Sequence, residues 1–336
     1  MSAGQGKSIP NLFCSTAPVD GPQNFFGRQE LLQAIYDHLA RYTPTSVLGV
    51  RKSGRSSLLR HLMTDASQQS FSFGPQAFVF VYLDRGHGMQ GPSGFYRAWI
   101  EALAERNLCP PPGPEGEISE RRVKSLLSEL APRCLVLLLD DFETIATSPR
   151  FPVDFFRFQR GLAIEGRICF VTATVRNLFE CCPKDMIASG FPNIFVAETL
   201  GPWSEPEFDR FLTETSERSG APILAHKNEI YELSGRSPFY VQMACGLLFD
   251  VWRERGQITA QDQAGIRQRF AVVSRSHFEE AWKACLDPRE KASLLALAQG
   301  QGGSDSQCSH NLSDKGYLVD GHIFSSAFVD FIRSQA

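Results

Sequence analysis

No stretch of this 336-residue chain approaches the roughly 18 consecutive apolar residues of a membrane-crossing helix, so no spanning segment is expected. "SAGQGK" after Met1 lacks the charged and apolar regions of a signal peptide. The nine cysteines form no C-x-x-C, their number is odd, and several lie inside apolar runs, which excludes a disulfide framework and points to reduced thiols in the cytoplasm. The seven histidines add no paired ligand spacing of the kind zinc needs. Charge of one sign is also missing: 34 Lys and Arg against 37 Asp and Glu leave −3, with no overall attraction for nucleic acid or an anionic membrane. Nor is there an internal repeat. At 43% hydrophobic and 21% charged, the chain has the composition of a globular protein, long enough for two or three domains.

Residues 1–24 are rich in Gly, Pro, Ser and Gln and predict an extended arm. "RQELLQAIYDHLA" places Leu31, Leu32, Ile35 and Leu39 on one helical face. Five short apolar runs follow, "TSVLGV" (45–50), "AFVFVYLD" (77–84), "CLVLLLDD" (134–141), "RICFVTAT" (167–174) and "NIFVAETL" (193–200). Separated by helical stretches such as "ISERRVKSLLSEL" (118–130), they predict five buried strands in a parallel α/β sheet with helices on both faces. Beyond residue 200 helices dominate, the first opened by the capping box "SEPE" of Ser204 and Glu207. The tail "DKGYLVDGHIFSSAFVDFIRS" predicts a hairpin and a helix with Phe324, Phe328, Phe331 and Ile332 on one face.

Between the first strand and "SSLLRHLM" lies "GVRKSGRSS", one residue away from a Walker A loop. Gly49 and Gly54 keep the spacing and Ser56 holds the magnesium-binding hydroxyl position, while Arg55 stands where lysine is usual. Such a turn aims successive backbone N–H groups at phosphate oxygens, making Gly49, Arg51, Lys52, Ser53, Gly54, Arg55, Ser56 and Ser57 candidate contacts. A ligand-free glycine turn accounts for the pattern equally well on motif grounds. "LVLLLDDFE" has the form of a Walker B strand: Asp140 would hold Mg2+ through water and Asp141 would orient the attacking water. In "FVTATVR", Thr172 or Thr174 could offer a hydroxyl to a γ-phosphate with Arg176 nearby, although ordinary strand-end residues explain it as well. Asp141, Arg55 and Thr174 are the candidate catalytic groups.

Six ordered segments together resemble the STAND-type ATPases of the AAA+ group, in the novel-STAND and archaeal-ATPase-like branch. "NFFGRQELLQAI" resembles the family's N-terminal box, "GVRKSGRSSLLRHL" its phosphate loop and "LLLDDFE" its Walker B segment. "NIFVAETLGPWSEPEF" resembles its entry to the lid, "SGRSPFYVQMACGLLFDVW" its lid helix with a Gly-x-Pro motif, and "KGYLVDGHIFSSAFVDFIR" its terminal winged helix. The resemblance implies a P-loop nucleotide-binding core at 25–200, a helical lid at 201–284 and a winged-helix-like domain at 285–336. It places Phe26, Gly27 and Arg28 near an adenine and Pro238 on the lid side of the base. Three departures stand out: Arg55 for lysine, Asp141 for glutamate, and Arg236 where the motif usually has glycine.

The resulting expectation is an ATP- or ADP-binding switch, with Mg2+, that recruits a protein partner or self-associates and hydrolyses slowly or not at all. Arginine keeps the charge of lysine but is planar and longer, a poorer fit between β- and γ-oxygens. Two alternatives remain at this point. A nucleic-acid-engaging AAA+ protein of the replication or transposition type would want a basic face, whereas residues 285–336 carry four Lys or Arg against six Asp or Glu. A pseudo-ATPase scaffold would follow if Arg55 fills the phosphate pocket itself.

Overall fold

Each apolar run is too short for a typical helix, and most are rich in β-branched and aromatic residues, so they become strands. The structure, a computed structural model, describes residues 11–13, 18–19, 21, 24–74, 76–113, 116–301 and 305–335. The predicted arm falls mostly on 1–10, 14–17, 20 and 22–23, outside the described residues. Two compact units are present, Val19–Val50 with Gly54–Leu200, and Met1–Pro18 with Arg51–Ser53 and Gly201–Ala336.

The sheet unit carries, in chain order, α1 (Gln29–Ala40), β1 (Thr45–Leu48), α2 (Arg55–Leu62), α3 (Asp65–Ser70), β2 (Phe78–Leu83), α4 (Pro92–Glu105) and α5 (Glu120–Leu130). Then come β3 (Cys134–Leu139), α6 (Glu143–Ala146), α7 (Val153–Ile164), β4 (Ile168–Thr174), α8 (Leu178–Cys181), α9 (Lys184–Ala188) and β5 (Val196–Thr199). The strand order is β2-β3-β4-β1-β5 and every pairing is parallel. Alternation along β3 divides the core. Leu135, Leu137 and Leu139 join Val81, Trp99, Leu126 and Phe156 on one face. Val136 and Leu138 join Leu32, Leu39, Leu58 and Leu62 on the other. Fully burying one such side chain is worth about 1.5–3 kcal/mol, most of it offset by the conformational entropy lost on ordering the chain.

One expectation needs adjusting. β5 is largely exposed, with Val196 at 38%: it is the rim strand beyond β1, and unlike β2 at the other rim its side chains are not covered. The register matters for the site. Leu48 lies beside Thr174 and Leu83 beside Leu139, so the strands' C-terminal ends line one rim of the sheet.

The helical unit holds α10 (Glu205–Ser219), α11 (Lys227–Ser234), α12 (Pro238–Arg255), α13 (Ala260–Glu280), α14 (Pro288–Ala298) and α15 (Ser306–Asp314). A hairpin of β6 (Leu318–Val319) and β7 (His322–Ile323) leads into α16 (Ser326–Arg333). The capping box at Ser204 and Glu207 forms as expected and starts α10. α12 is apolar over most of its length and largely inside, with Val241, Ala244, Cys245, Leu248 and Phe249 buried and its last turn, Arg253–Arg255, exposed. Asn11 donates to the Gly246 carbonyl (3.2 Å) and to Asp250 (3.0 Å) on this helix, and the Phe13 ring lies 6.0 Å from Phe249. Tyr240, Phe278, Phe324 and Phe328 form an aromatic cluster that ties α12 and α13 to the hairpin and α16.

Two polar links fix the same unit. Arg236 grips Asp320 at the hairpin turn with both terminal nitrogens (2.9 and 3.1 Å), and Tyr231 donates to the same carboxylate (3.0 Å). The Arg236 hydrogen bonds hold the Asp320 carboxyl below the usual carboxylate range. Deeper inside, Lys315 Nζ lies 2.6 Å from Glu290 Oε1, and Glu290 is 2% exposed.

Candidate functional site

β1 ends at Leu48, the chain turns, and α2 begins at Arg55. The turn is anchored by Gly49 N–H, which donates to the Thr174 carbonyl at the end of β4 (2.9 Å). Lys52 (φ 68) and Gly54 (φ 100) both adopt left-handed backbone. At Gly54 an L side chain would be strained by that φ, while a Cβ there would meet nothing within 4 Å, so glycine is required by conformation rather than by crowding. Left-handed residues within such a turn are what swing neighbouring N–H groups to one side.

The acidic pair follows β3, on the same rim. Ser56 Oγ donates to Asp140 Oδ2 at 2.5 Å, joining the start of α2 to the end of β3 across the intervening β4. Tyr82 OH donates to the same oxygen (2.9 Å), and Asp141 N–H to Oδ1 (3.0 Å). Burial and then the Asp140 charge raise the pKa of the Tyr82 phenol, so it remains a donor. Asp141 takes a left-handed φ of 48°, which a short polar side chain tolerates. Its carboxylate is held by Arg55 Nη2 at 2.9 Å on Oδ1 and by Arg85 Nε at 3.2 Å on Oδ2. Arg55 Nη1 makes no hydrogen bond and lies 3.7 Å from Glu143 Oε1.

These residues can be tested for fit against a nucleotide and its metal. Ser53, Thr172 and Thr174 carry buried hydroxyls without a hydrogen-bond partner, at the loop and at the end of β4. Together with the left-handed turn they suit a polyphosphate, which would satisfy donors that are costly to leave unpaired. A hydroxyl that donates to Asp140 keeps its lone pairs for a cation, so Ser56 and Asp140 suit Mg2+. Among the described residues no group of three or more His, Cys, Asp or Glu could hold a metal ion, so phosphate oxygens and water would complete the coordination.

The remaining sequence candidates are placed as follows. Gly27 (φ 73) and Arg28 (φ 67) make consecutive left-handed steps into α1, with Phe26 half-buried before them. Ser57 is engaged elsewhere, since its hydroxyl accepts the N–H of Val19 (3.0 Å). Arg176 is exposed. In the helical unit, Arg51 pairs with Glu280 (2.7 Å), Lys52 lies 5.1 Å over the Phe239 ring, and Pro238 is the first residue of α12. Tyr82, Arg85 and Glu143 are contributors that the sequence reading did not single out. Tyr82 and Arg85 flank the end of β2, which pairs with β3, but strand order is not written in a local pattern.

His61 on α2 is stacked on Phe25 of the N-terminal box (centroids 4.0 Å, 9°), and burial lowers its pKa. With the folded pKa below the unfolded value near 6.5, the unfolded chain takes up the proton first as pH falls. The contribution of neutral His61 to stability is therefore present above about pH 6.5 and is lost progressively as pH falls below it. His61→Phe keeps the stack and should flatten the fall in melting temperature between about pH 6.5 and 5. An unchanged pH slope would show that His61 is not the titrating group.

A parallel sheet whose first strand runs through a glycine turn into a helix, with a serine of that helix bonded to an acidic strand end one strand away, defines a P-loop NTPase. Comparison with known proteins makes this more particular. The family described as novel STAND NTPase 2 matches residues 45–303, more than half of the chain, and the chain belongs to that family. No curated protein matches it. Among solved structures it is similar to a Walker-type ATPase of Pyrococcus abyssi, with TM-score 0.62 and 16% identity over 96% of this chain and 99% of that one. It is also similar to the ORC2 protein of Aeropyrum pernix in its ADPNP–ADP complexes, with TM-score 0.57 and 14% identity over 97% of this chain and 88% of that one. At these identities the likeness is one of fold.

Proposed function

We propose that this NTPase module is a nucleotide-dependent switch in which bound ATP or ADP, with Mg2+, controls recruitment of a protein partner or self-association, while hydrolysis is slow or absent. The observation that carries the reading is the Arg55–Asp141 ion pair. The groups that would bind phosphate and metal remain in place, whereas the carboxylate in the position to orient water is taken up by two guanidinium groups, Arg55 on one oxygen and Arg85 on the other. In this reading Gly49, Lys52, Ser53 and Gly54 cradle phosphate, Ser56 and Asp140 hold Mg2+, and Thr174 faces the terminal phosphate. Phe26, Gly27, Arg28 and Pro238 belong to the base. Residues 201–284 act as lid and 285–336 as a winged-helix-like element in a cytoplasmic signalling protein. The four cationic against six acidic residues of 285–336 favour a protein partner over nucleic acid for that element.

Thermal unfolding of the full chain with ATP or ADP, with and without Mg2+, tests the reading. Nucleotide at about 100 times its Kd should add about 2.7 kcal/mol of stability. Ser56→Ala and Asp140→Asn should reduce the Mg2+-dependent part of that gain more than Thr174→Ala does. Absence of any shift with either nucleotide would remove the switch. Phosphate release at an ordinary enzyme rate of about 10 s⁻¹ would remove the claim of slow hydrolysis.

A further inference from the structure

Asp141 has a cation on each oxygen, and the two cations are not equivalent. Arg55 comes from the first residue of α2 with a side chain only 10% exposed, while Arg85 follows β2 with a side chain 56% exposed. The backbone of Asp141 is fixed, because its carbonyl accepts both the N–H and the hydroxyl of Thr144 at 2.9 Å each. Its carboxylate therefore stays where it is when a partner moves. Arg55 occupies the loop position from which a side chain reaches β- and γ-phosphate oxygens. In this structure its guanidinium is turned instead to Asp141 and Glu143, whose Oε2 has no hydrogen-bond partner.

Resting on the nucleotide-switch reading, we propose that Arg55 is a two-position guanidinium, held by Asp141 until a γ-phosphate takes it. We further propose that Arg85 is the specificity-determining residue that makes the exchange favourable for a nucleoside triphosphate. The physical argument is one of charge. Arg55 can leave Asp141 only if that carboxylate is not left as a bare anion beside an anionic phosphate, a like-charge contact of high cost in a half-buried site. Arg85, already on the other oxygen, keeps Asp141 compensated. A diphosphate lacks the γ-phosphate, and its β-oxygens are met by the N–H groups of the loop, so Arg55 stays on Asp141 and Arg85 is not needed. The site then separates triphosphate from diphosphate by which anion holds Arg55, without any hydrolysis.

Calorimetric titration of the full chain with Mg2+ and either ADP or a non-hydrolysable imido analogue of ATP tests this. Arg85→Ala should weaken the analogue roughly tenfold, the size of one charge-assisted contact, and leave ADP unchanged. Arg85→Lys should retain the parent preference. In an Asp141→Asn background, Arg85→Ala should no longer alter the ratio of the two Kd values, because there is no anion left to compensate. A merely structural role for Arg85 would shift both nucleotides alike, in either background. Equal weakening of both, an unchanged ratio in Arg85→Ala, or an effect that persists with Asp141→Asn overturns the proposal while ADP binding leaves the switch standing. Failure of both nucleotides to bind the parent chain overturns the proposal and the switch together.

Discussion

Gly235→Ala should cost the helical unit about 3 kcal/mol or more, since it adds a forbidden backbone conformation to a steric clash. Gly235 ends α11 at φ 55 and ψ −129, a region that essentially only glycine enters. A Cβ there would lie 2.7 Å from the Phe324 carbonyl oxygen and 3.1 Å from its Cβ. The backbone oxygen cannot swing aside as a side-chain tip would, so the hairpin or the end of α11 must shift. Arg236 and its grip on Asp320 come next in sequence and would move with it. In this chain "GRSP" is thus conformational at Gly235, ionic at Arg236 and helix-initiating at Pro238. Urea unfolding that reports 201–336, for example by labelling of Cys245, measures the effect. A loss below about 1 kcal/mol would mean that the turn relaxes freely.

Lys315→Met should be equally damaging, at about 3–5 kcal/mol, because it strands a carboxylate that is almost wholly removed from water. Glu290 has two tasks. Its Oε1 faces Lys315 at 2.6 Å, and its Oε2 accepts the N–H of Asp287 at 2.9 Å, closing the capping box of α14. Adding Glu290→Gln to Lys315→Met removes the buried charge and leaves an amide oxygen to cap the helix, so the double variant should recover more than half of the loss. Adding Glu290→Leu removes the charge and the cap together, and should recover less by about 0.5–2 kcal/mol. If Lys315→Met alone cost under about 1 kcal/mol, water must reach Glu290 and the pair would count as a surface one.

Local physics made much of the fold legible. The five runs became strands because apolar density over four to eight residues has no better use, and "SEPE" started a helix because Ser204 and Glu207 satisfy each other's backbone donors. The parallel sheet of a P-loop NTPase, with helices on both faces, was written in that alternation of runs. What was not legible depends on neighbours distant in sequence. The exposure of β5, set against the burial of β2 at the opposite rim, depends on what covers each strand, and strand order cannot be read from a run's own residues. The Ser56–Asp140 hydrogen bond joins two residues that the motifs had each assigned to Mg2+, whereas the Arg55–Asp141 bond did not follow from either motif. It needs the length of arginine, the left-handed turn at Asp141 and the closeness of the two elements at once. Arg85 and Tyr82 were hidden for the same reason, since each acts across the β2–β3 pairing.

The buried cysteines give this chain an internal clock for its own opening. Cys134 and Cys169 lie in β3 and β4 at 1% and 0% exposure, and Cys245 lies in α12 at 0%. Burial pushes the Cys134 thiol up to about 12 and raises Cys169 and Cys245 as well, so none of them offers a reactive thiolate while its surroundings are closed. Modification by a thiol reagent must then wait for a fluctuation that exposes each one, and its rate reports the free energy of that fluctuation. Two of these reporters belong to the sheet and one to the helices, which allows each unit's breathing to be timed in the unaltered protein without an added label site.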